Sequence, residues 1–542
     1  MPVTPSYPGI YIEELPSSTH TITAAPTSIA VFVGYTHPFK TLIPKTTITN
    51  FNKAIQIFSF TDYEKYFGGF YASSVLDSNV AQAVNQFFLN GGSSAYVVGV
   101  QPQEYFDSKQ NPVGAVAPPA AQTTNGIQFT ALEPADSPNT GISVTITTPP
   151  NSTNSHVADI TIIYGTKGIR TETYRQVSLD PGSPTPSNPS PTANNPTNPN
   201  FITTRINNIS TLVTVGLSTG TTTWPTDFAN GGSITLSTTL PAGAVSIFRE
   251  SDFAPIFQQD SDLDKVPIFN LLLLPGITDN STLSEALAFC ERKQAFLIMD
   301  PPAIDVADQG TNWIGDYIDG TTCPKSQNGA LYFPYLVSTD PLTGNQINLP
   351  PSGFVAGIYA STDLSRGVWK APAGQATTLL NTTGVVDTGR MNDLRQGTLN
   401  LKGVNCLRSF PGIGTVVYGA RTLVSANPAY QQWKYVPVRR MALFIEQTLL
   451  SNLGWVVFEP NDEPLWAAIR LSIGNFMLSL FKQGALQGST PSQAFQVKCD
   501  SSTTTSDDQN NGIVNIIVAF APLKPAEFVI IKIAQLAGQV QS

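Results

Sequence analysis

The last stretch of the chain, residues 512–535, constrains the fold most, because it predicts strands that need a partner outside the chain's own core. Two apolar runs, 513–520 and 527–534, are β-branched or aromatic at most positions. Two prolines between the runs exclude a tight hairpin. An exposed apolar strand at a chain end favours aggregation unless a reserved sheet edge receives it. We therefore predict a C-terminal arm that pairs with a neighbouring subunit through Phe528, Val529, Ile530 and Ile531.

A second candidate arm lies near the N-terminus, in the motif PGIYIEE at residues 8–14. Ile10 and Ile12 alternate with Tyr11 at the period of a strand, within a stretch rich in Pro, Ser and Thr. The alternative is an ordinary frayed terminus. If the motif is a strand, Ile10, Tyr11 and Ile12 pair with another subunit.

Charge and cysteine content exclude several function classes. Only 12% of the residues are charged and the net charge is -9, which argues against nucleic-acid binding. The low charge fits a surface buried by copies of the chain, or a merely neutral surface rich in Thr, Ser and Asn. Cys290, Cys323, Cys406 and Cys499 have neither zinc-site nor disulfide-framework spacing, so we expect reduced thiols and no metal or other cofactor. We also expect neither a signal peptide nor a membrane helix.

Alternating strand and helix patterns predict a doubly wound α/β core in two blocks, 26–105 and 251–402. In the second block, the unbroken apolar run 268–274 is typical of a central parallel strand. The following helix, 281–293, has Ser281 or Thr282 as its predicted cap. The other predicted strands are 29–34, 95–100, 295–299 and 331–333, and the other predicted helices are 62–68, 78–90 and 352–364.

Between these blocks, residues 106–250 change character and predict an inserted β-rich domain. Its Pro-rich segment 181–200 cannot bury enough apolar surface to order itself, which predicts a mobile loop. Because insertions with such loops belong on an exposed surface, we expect this domain to face outward. Its predicted strands are 127–129, 142–146, 160–164 and 172–177.

The last block, 403–522, predicts an α+β domain with helices at 438–450 and 461–483 and a strand at 455–458. The longer helix begins with Asp, Glu and Pro and carries one apolar stripe, which is typical of a core helix.

Motifs for catalysis and metal binding fail in detail. GLSTG at 216–220 matches G-x-S-x-G, but no helix pattern follows it. DSDLD at 260–264 resembles the start of a calcium loop, but Lys265 stands where glycine is needed. The three histidines, His20, His37 and His156, all precede the 251–402 block, so a serine or cysteine nucleophile there would have no imidazole base. We predict that the chain is not an enzyme.

Eight stretches carry a family resemblance, in addition to the PGIYIEE motif. They are RGVWKAPAG (366–374), GVN (403–405), GARTL (419–423), WKYVPVRR (433–440), FEPNDEPLW (458–466), QGAL (483–486), FQVKCD (495–500) and PAEFV (525–529). These stretches closely resemble contractile tail sheath proteins of phages and of phage-derived contractile injection systems. Residues 131–146 resemble the family's β-domain more loosely, without the tryptophan usual after its turn. The resemblance spans nearly the whole chain.

This resemblance implies a subtilisin-like doubly wound core without catalytic groups, and terminal arms that exchange strands with neighbouring subunits. It implies hexameric rings that stack helically around an inner tube and contract to drive the tube through a target envelope. The implied partners are copies of the chain, the tube protein, and baseplate and tail terminator or cap proteins, with no nucleic acid and no membrane insertion. The particle would assemble in the bacterial cytoplasm and serve as a virion tail or a phage-tail-like particle.

Tube contact is expected in the C-terminal block, through basic residues on or near its helices. Each of these residues could instead form an ordinary intramolecular salt bridge. The candidates are Lys434, Arg439, Arg440, Arg470 and Lys482. The expected segments are an N-terminal arm (1–25), an α/β segment (26–105), the inserted β-rich domain (106–250), the subtilisin-like domain (251–402), the C-terminal sheath domain (403–522) and a C-terminal arm (523–542).

Two other functions stay open from sequence. A degenerate subtilisin-like hydrolase would need a base that the block lacks. A secreted surface adhesin would use the Thr-rich β-domain, with Asn151 and Asn208 as candidate glycan acceptors, but would need a secretion signal.

Overall fold

A computed structural model describes residues 20–44, 47–136, 140–147, 156–165, 168–185, 187–225, 233–303, 314–387 and 390–532 of the 542-residue chain. The predicted arm strand at 10–12, the candidate glycan acceptor Asn151 and the end of the predicted C-terminal strand at 533–534 lie outside the described residues. The chain divides into two compact units. The larger unit comprises 28–361 and 372–431, and the smaller unit comprises 1–27, 362–371 and 432–542.

The secondary structure mixes helices and strands throughout, as an α/β chain requires. The strands are β1 (Ala30–Tyr35), β2 (Ala54–Ile57), β3 (Ala95–Val100), β4 (Glu104–Phe106), β5 (Pro112–Ala115), β6 (Ala121–Thr124), β7 (Ile127–Ala131), β8 (Ile142–Thr147), β9 (Val157–Tyr164), β10 (Arg170–Ser178), β11 (Val213–Leu217), β12 (Ser233–Leu236), β13 (Leu271–Leu273), β14 (Phe296–Met299), β15 (Gly329–Phe333), β16 (Leu336–Thr339), β17 (Gln346–Leu349), β18 (Gly384–Val385), β19 (Val404–Phe410), β20 (Gly414–Val417), β21 (Phe495–Lys498) and β22 (Ile517–Phe520). The α-helices are α1 (Phe60–Phe67), α2 (Asn79–Leu89), α3 (Ile202–Asn207), α4 (Ala254–Phe257), α5 (Asn280–Arg292), α6 (Ile314–Asp319), α7 (Ser352–Arg366), α8 (Asp393–Leu401), α9 (Val436–Asn452), α10 (Glu463–Lys482), α11 (Pro491–Ala494) and α12 (Ser506–Asn510).

An eight-stranded sheet forms the centre of the larger unit, in the order β2-β3-β1-β13-β14-β15-β19-β20. The six inner strands pair in parallel, and β2 and β20 add an antiparallel strand at each edge. Strands β1, β13, β14 and β15 are buried along their whole length. Burial on both faces is what continuous apolar runs such as 268–274 require, so the predicted central parallel strand is confirmed.

Helix α7 packs against α2 at very short range because glycines face the contact. A Cβ added at Gly353 would lie 2.5 Å from the Cα and the carbonyl oxygen of Ala83. One added at Gly357 would lie 2.5 Å from the Cβ of Asn90. The i, i+4 spacing of the two glycines puts both on one face of α7, and their missing side chains let the backbones approach.

Helix boundaries follow the capping residues, with one correction. Helix α1 begins after Ser59, whose side chain accepts from the Asp62 N–H, and it ends at Gly68, which is left-handed at φ +83°. Helix α5 is capped by Asp279, which accepts from the Thr282 N–H at 2.9 Å. The predicted cap at Ser281 or Thr282 is therefore wrong. Asp279 has the extended backbone that a cap needs, and the helix begins directly after it.

The inserted segment folds around a core of its own. Strands β10-β9-β8-β12 form a four-stranded antiparallel sheet, and β11-β7-β6 form a three-stranded one. Residues of both sheets, such as Phe129, Ile160 and Val213, share one apolar cluster. The predicted strands at 127–129, 142–146, 160–164 and 172–177 are confirmed.

The inserted segment leaves and rejoins the rest of the chain at one narrow point, which we call the neck. The Phe106 N–H donates to the Ser246 carbonyl at 2.7 Å, and the Val245 N–H donates to the Phe106 carbonyl at 2.9 Å. The chain therefore departs and returns through adjacent backbone positions.

The central sheet extends further along the chain than predicted. Strand β19 pairs with β15, and β20 pairs with β19, so residues past the expected boundary at 402 belong to this sheet. The larger unit continues to residue 431. The sheet also includes β1, so His37, two residues after that strand, does lie in the doubly wound core. All three histidines do precede residues 251–402, but the sheet joins the blocks on both sides of the inserted segment, so His37 lies beside it.

The smaller unit is built on helices α9 and α10. The predicted stripe of α10, including Leu465, Ile469, Ile473 and Met477, is buried in an apolar cluster that also contains Phe444 of α9. Helix α10 is long and apolar enough to cross a membrane, judged by length and composition alone. The expectation that no segment is long and apolar enough to do so is therefore wrong. Core helices of soluble proteins meet the same criterion.

Two strand predictions in the smaller unit differ from the structure. The predicted strand 455–458 is wrong, because Gly454–Val456 form a 3-10 turn and Phe458 is left-handed at φ +71°. The apolar residues there follow the end of α9 instead of pairing in a sheet. The predicted strand 513–520 is shorter, since only β22, Ile517–Phe520, pairs with another strand.

We expect Gly353→Ala to lower the free energy of unfolding by about 1–3 kcal/mol, because the new methyl group meets the backbone of Ala83. Gly397→Ala is the matched control, since nothing lies within 4 Å of that position in helix α8. The control should be neutral or stabilising by up to about 1 kcal/mol. Urea unfolding of both variants measures the difference, and equal midpoints would contradict the close packing of α7 on α2.

Candidate assembly surface

The end of the described chain places four apolar residues in solvent. Phe528, Val529, Ile530 and Ile531 are 70%, 81%, 83% and 79% exposed. The structure gives residues 523–532 neither helix nor strand. Contiguous apolar exposure of this kind marks an interaction site in a soluble protein. The prediction that these residues form a strand in a neighbouring subunit remains a prediction.

The segment is attached to the smaller unit just before these residues. The Tyr435 hydroxyl donates to Glu527 Oε2 at 3.2 Å, next to the start of α9. Upstream, the Gln487 N–H donates to the Ala521 carbonyl at 2.9 Å, and the Ala521 N–H donates to the Ala494 carbonyl at 2.8 Å. The exposed residues therefore begin directly after the last anchored residue, Glu527.

Strands β21 and β22 form a two-stranded antiparallel sheet in the same unit. Phe495 pairs with Phe520 at one end of the sheet, and Lys498 pairs with Ile517 at the other. No third strand joins this sheet within residues 390–532 or elsewhere in the described chain. Two-stranded sheets gain stability from further strands, and each free edge presents backbone groups that can bond to one.

The predicted basic residues occupy very different environments. The Arg440 guanidinium is buried and bonds to both oxygens of the buried Asp363 carboxylate, at 2.9 and 2.6 Å. Arg439 is buried, bonds to Glu446 at 3.1 Å and lies over the Trp433 ring. Buried guanidinium groups with these partners form intramolecular ion pairs, the alternative stated for them from sequence.

The other three basic candidates lie nearer to solvent. Arg470 bonds to Glu463 at 2.5 Å and to the Cys499 carbonyl. Lys434 is half-buried, with its ammonium over the Tyr435 ring, and Lys482 is exposed in the last turn of α10. The five residues therefore do not form one basic surface. Of the five, Lys482 is exposed, and the others are half-buried or buried.

The outer face of α10 is a feature that sequence reasoning missed. Ala467 and Leu471 are exposed and Gly474 and Leu478 are half-buried, at spacings that place all four on one side of the helix. A helix that is apolar on all sides is normally buried on all sides. The signal was present in the sequence, since α10 lacks the charged face of an ordinary surface helix.

Phe458 is a second missed feature. Its side chain is fully exposed, and its left-handed backbone is unusual for an aromatic residue. The neighbouring Val457 is 62% exposed. Because residues 455–458 were predicted to form a strand, the exposure of Phe458 was not predicted from the sequence.

The buried Asp300 is the residue most relevant to the alternative of a hydrolase. It lies directly after β14 and accepts the Ser352 N–H and hydroxyl at 2.7 Å each, and the Gly276 N–H at 3.0 Å. Burial raises the pKa of Asp300 to about 6, although these hydrogen bonds act to lower it. The three bonds fix the start of α7 and bring no imidazole to Ser352.

All three histidines have partners elsewhere. The His20 ring stacks on Trp455 at 3.9 Å, and His156 Nδ1 lies 2.7 Å from the Thr222 carbonyl oxygen. His37 Nδ1 accepts from the Phe39 and Lys40 N–H groups, which leaves the proton on Nε2 to donate to Glu133 at 3.0 Å. No group of three or more potential metal ligands occurs among the described residues.

Glu133 is the centre of a buried ionic cluster that joins the inserted segment to the central sheet. Its carboxylate contacts His37 Nε2 at 3.0 Å and accepts hydrogen bonds from Lys40 Nζ and Arg170 Nη2 at 2.5 Å each. Burial would raise the pKa of Glu133, but the His37 hydrogen bond and the charges of Lys40 and Arg170 outweigh it and lower the pKa to about 2. Burial also lowers the pKa of His37, against the opposing effect of Glu133.

Comparison with known families decides the relationship. The model described as the phage tail sheath protein central domain matches residues 265–423, and the phage tail sheath C-terminal domain matches residues 429–535. The chain belongs to the phage tail sheath family. The seam between the two sheath domains, 423–429, lies close to the division at 431 and away from the boundary expected at 402.

Two tail sheath proteins are similar to parts of the chain. That of Vibrio phage KVP40 is 26% identical over 187 residues, which cover 33% of this chain and 26% of the relative. That of Burkholderia phage BcepMu is 26% identical over 223 residues, which cover 40% of this chain and 46% of the relative. The matched region therefore spans between a quarter and a half of these relatives.

Solved sheath structures share the fold over almost the whole chain. The anti-feeding prophage helical sheath in its contracted state has a TM-score of 0.56 at 22% identity, covering 98% of this chain and all of that one. The sheath complex of PVC, an extracellular contractile injection system, in its contracted state has a TM-score of 0.55 at 21% identity, covering 98% of both chains. This similarity supports the mixed α/β fold of a sheath protein.

Stability should fall as the pH is lowered from about 7 to 5.5, because burial lowers the pKa of His37 in the folded chain below the value of about 6.5 that it has when unfolded. The unfolded chain then binds more protons than the folded chain, so the free energy of unfolding decreases as the pH falls through the unfolded-state pKa. The upper limit of this loss at pH 5.5 is about 1.4 kcal/mol, which corresponds to one pKa unit. His37→Gln should flatten this part of the pH dependence, measured as urea midpoints at pH 7.5 and 5.5.

His156→Gln is the control for this comparison, because the removed imidazole lies in the inserted segment outside the Glu133 cluster. It should keep the pH dependence of the original chain. If His37→Gln and the original chain lose stability in parallel, the neutral buried His37 is refuted.

Proposed function

We propose that the chain is the structural, non-enzymatic subunit of a contractile sheath. Six copies form a ring around an inner tube, rings stack helically, and the terminal arms join each subunit to its neighbours. The observation that carries this proposal is the row of four exposed apolar residues at 528–531, in a sheath-family chain. The solved relatives were captured as a helical sheath and a sheath complex in contracted states, which supports the same assembly here.

The receiving surface for the arms is the β21–β22 sheet of a neighbouring subunit. Its two free edges offer backbone donors and acceptors, so that one arm can pair along each edge. Burying four large apolar side chains stabilises the pairing by about 1.5–3 kcal/mol each. Ordering the arm backbone costs about 1–2 kcal/mol per residue, so the net gain per arm is a few kcal/mol. Such a gain becomes large when it is repeated along a helical lattice.

Contraction draws its work from new contacts between subunits and not from nucleotide hydrolysis. The sheath assembles in an extended, metastable form on the tube and baseplate, and a trigger at the baseplate lets the subunits repack into a shorter, wider cylinder. The arms remain paired, so that the lattice changes shape without dissociating. The β-rich inserted domain faces outward, and the central sheet serves as a subtilisin-like scaffold without catalytic groups.

The tube contacts the outer face of α10. Ala467, Leu471 and Leu478 provide an apolar strip, and Lys482 adds a positive charge at its end. This refines the expected basic contact, because the Arg439 and Arg440 side chains are buried in ion pairs. An apolar strip suits a surface that holds the tube before contraction and slides past it afterwards, since few charge pairs must then be broken.

Deletion of residues 526–542 should leave a soluble monomer that forms no cylinders, because the arm strand is lost. Negative-stain electron microscopy and pelleting assays, with and without the tube partner, measure assembly. Ile209→Ser, which removes an exposed apolar side chain from the inserted domain, is the control and should assemble normally. Normal cylinders from the truncated chain would reject the arm exchange.

Leu471→Asp should reduce tube-templated assembly at least tenfold while leaving tube-free cylinders intact, because the charge loses its hydration at an apolar contact. Arg175→Glu, an exposed change in the inserted domain, is the matched control and should affect neither form. Co-sedimentation with the tube protein measures the effect. Equal tube-templated yields for the two variants would show that the tube does not contact this face of α10.

A further inference from the structure

Residues 20–27, which we call the arm root, run along helix α9 and bond to it at three points. The Thr23 N–H donates to Asn452 Oδ1 at 2.9 Å, and Asn452 Nδ2 donates back to the Thr23 carbonyl at 2.9 Å. The Ala25 N–H donates to Thr448 Oγ1 at 3.1 Å. The Arg440 guanidinium donates to the Thr27 carbonyl at 2.8 Å.

The spacing of these bonds fixes the register of the arm root. Positions 440, 448 and 452 differ by multiples of four, so they lie along one side of α9. Positions 23, 25 and 27 are every second residue, the repeat of an extended chain. The arm root therefore lies extended along α9, and it runs opposite to the helix direction because the lower numbers meet the later turns.

Side-chain packing holds the same register. Ile22 packs against the apolar cluster of the smaller unit, and the His20 ring stacks on Trp455 with an angle of 12° between the planes. His20 is the first described residue of the predicted N-terminal arm. The direction in which that arm leaves the subunit is therefore set at the Asn452 end of α9.

The other end of the arm root is attached to a rigid point. The Arg440 guanidinium that holds the Thr27 carbonyl also bonds to both oxygens of Asp363, and both charged side chains are buried. Losing one partner of a buried ion pair is strongly destabilising, because the other charge is left buried without compensation. A bond to this pair therefore ties the arm root to one of the strongest polar contacts of the smaller unit.

We propose that the arm root is a clamp, and that tension on the N-terminal arm enters the subunit through Asn452, Thr448 and Arg440. This inference rests on the proposed function, because it takes the arm to be paired with a neighbouring subunit. A clamped root keeps the free length of the arm constant, so that displacement of the neighbour turns the subunit instead of extending a slack segment. It also pre-orders the arm, which lowers the entropic cost of pairing.

Asn452 is the positioning residue of this clamp, because a single carboxamide can donate to and accept from the same backbone residue. Asp at this position keeps the acceptor for the Thr23 N–H and loses the donor. Ala keeps neither. The series Asn, Asp and Ala therefore removes first the donor, which also bonds to the Thr448 carbonyl at 2.8 Å, and then the acceptor.

The test combines amide hydrogen exchange on the full-length monomer with electron microscopy of assembly on the tube partner. Asn452→Ala should speed exchange in peptides covering residues 20–27 about tenfold, the effect of losing one to two net hydrogen bonds. It should also lower the yield of cylinders by a similar factor. Asn452→Asp should give intermediate values for both quantities.

Asn345→Ala, an exposed change in the turn between β16 and β17, is the control and should behave as the original chain in both measurements. Unchanged exchange at 20–27 in Asn452→Ala would refute the clamp. Faster exchange with a normal yield of cylinders would refute its role in carrying tension. If the original chain forms no cylinders with its tube partner, the proposed function fails, while the exchange data still decide whether the arm root is clamped.

Discussion

The pairing of β1 with β13 is the contact on which the rest of the larger unit depends. The two strands lie side by side and in parallel, and the adjoining Ile29 and Asn270, 241 positions apart in sequence, share a hydrogen bond. Closing so long a loop is entropically costly, but the cost grows only slowly with length, and the fully buried strands offset it. Once this pair is formed, everything between β3 and β13 becomes an insertion into a continuous sheet.

Sequence periodicity predicted the elements of this sheet well, because each is long enough or apolar enough to be recognised locally. Strand β3, helix α2 and strand β14 all lie within a residue or two of their predicted positions. The extent of the sheet was harder to predict, because β19 and β20 join it through pairing with β15, which no local pattern records. The strand expected at 455–458 failed for the opposite reason, since its four apolar residues satisfy a strand pattern without having any partner strand.

The candidate assembly surface was only partly predictable. The exposure of residues 528–531 could be predicted because two prolines separate these four large apolar residues from the preceding apolar run and exclude a tight hairpin with it. The basic residues were not, because sequence does not reveal that Asp363 lies opposite Arg440 or that Trp433 covers Arg439. Charge on these helices therefore indicated buried ion pairs, and not a free surface, at Arg439 and Arg440. This outcome follows from burial, since a guanidinium enclosed with its own carboxylate offers little to a partner.

The neck between Phe106 and Ser246 has a consequence for how such particles diversify. A domain joined through two adjacent backbone positions places one demand on its own architecture, that its ends lie close together, and many domains meet this condition. The Glu133 cluster adds a docking contact, yet the strands of the central sheet and the β21–β22 sheet lie wholly outside the insertion. Residues 107–245 are thus a natural cassette, in which evolution or an engineer can exchange one domain for another without altering the strand pairing of either sheet.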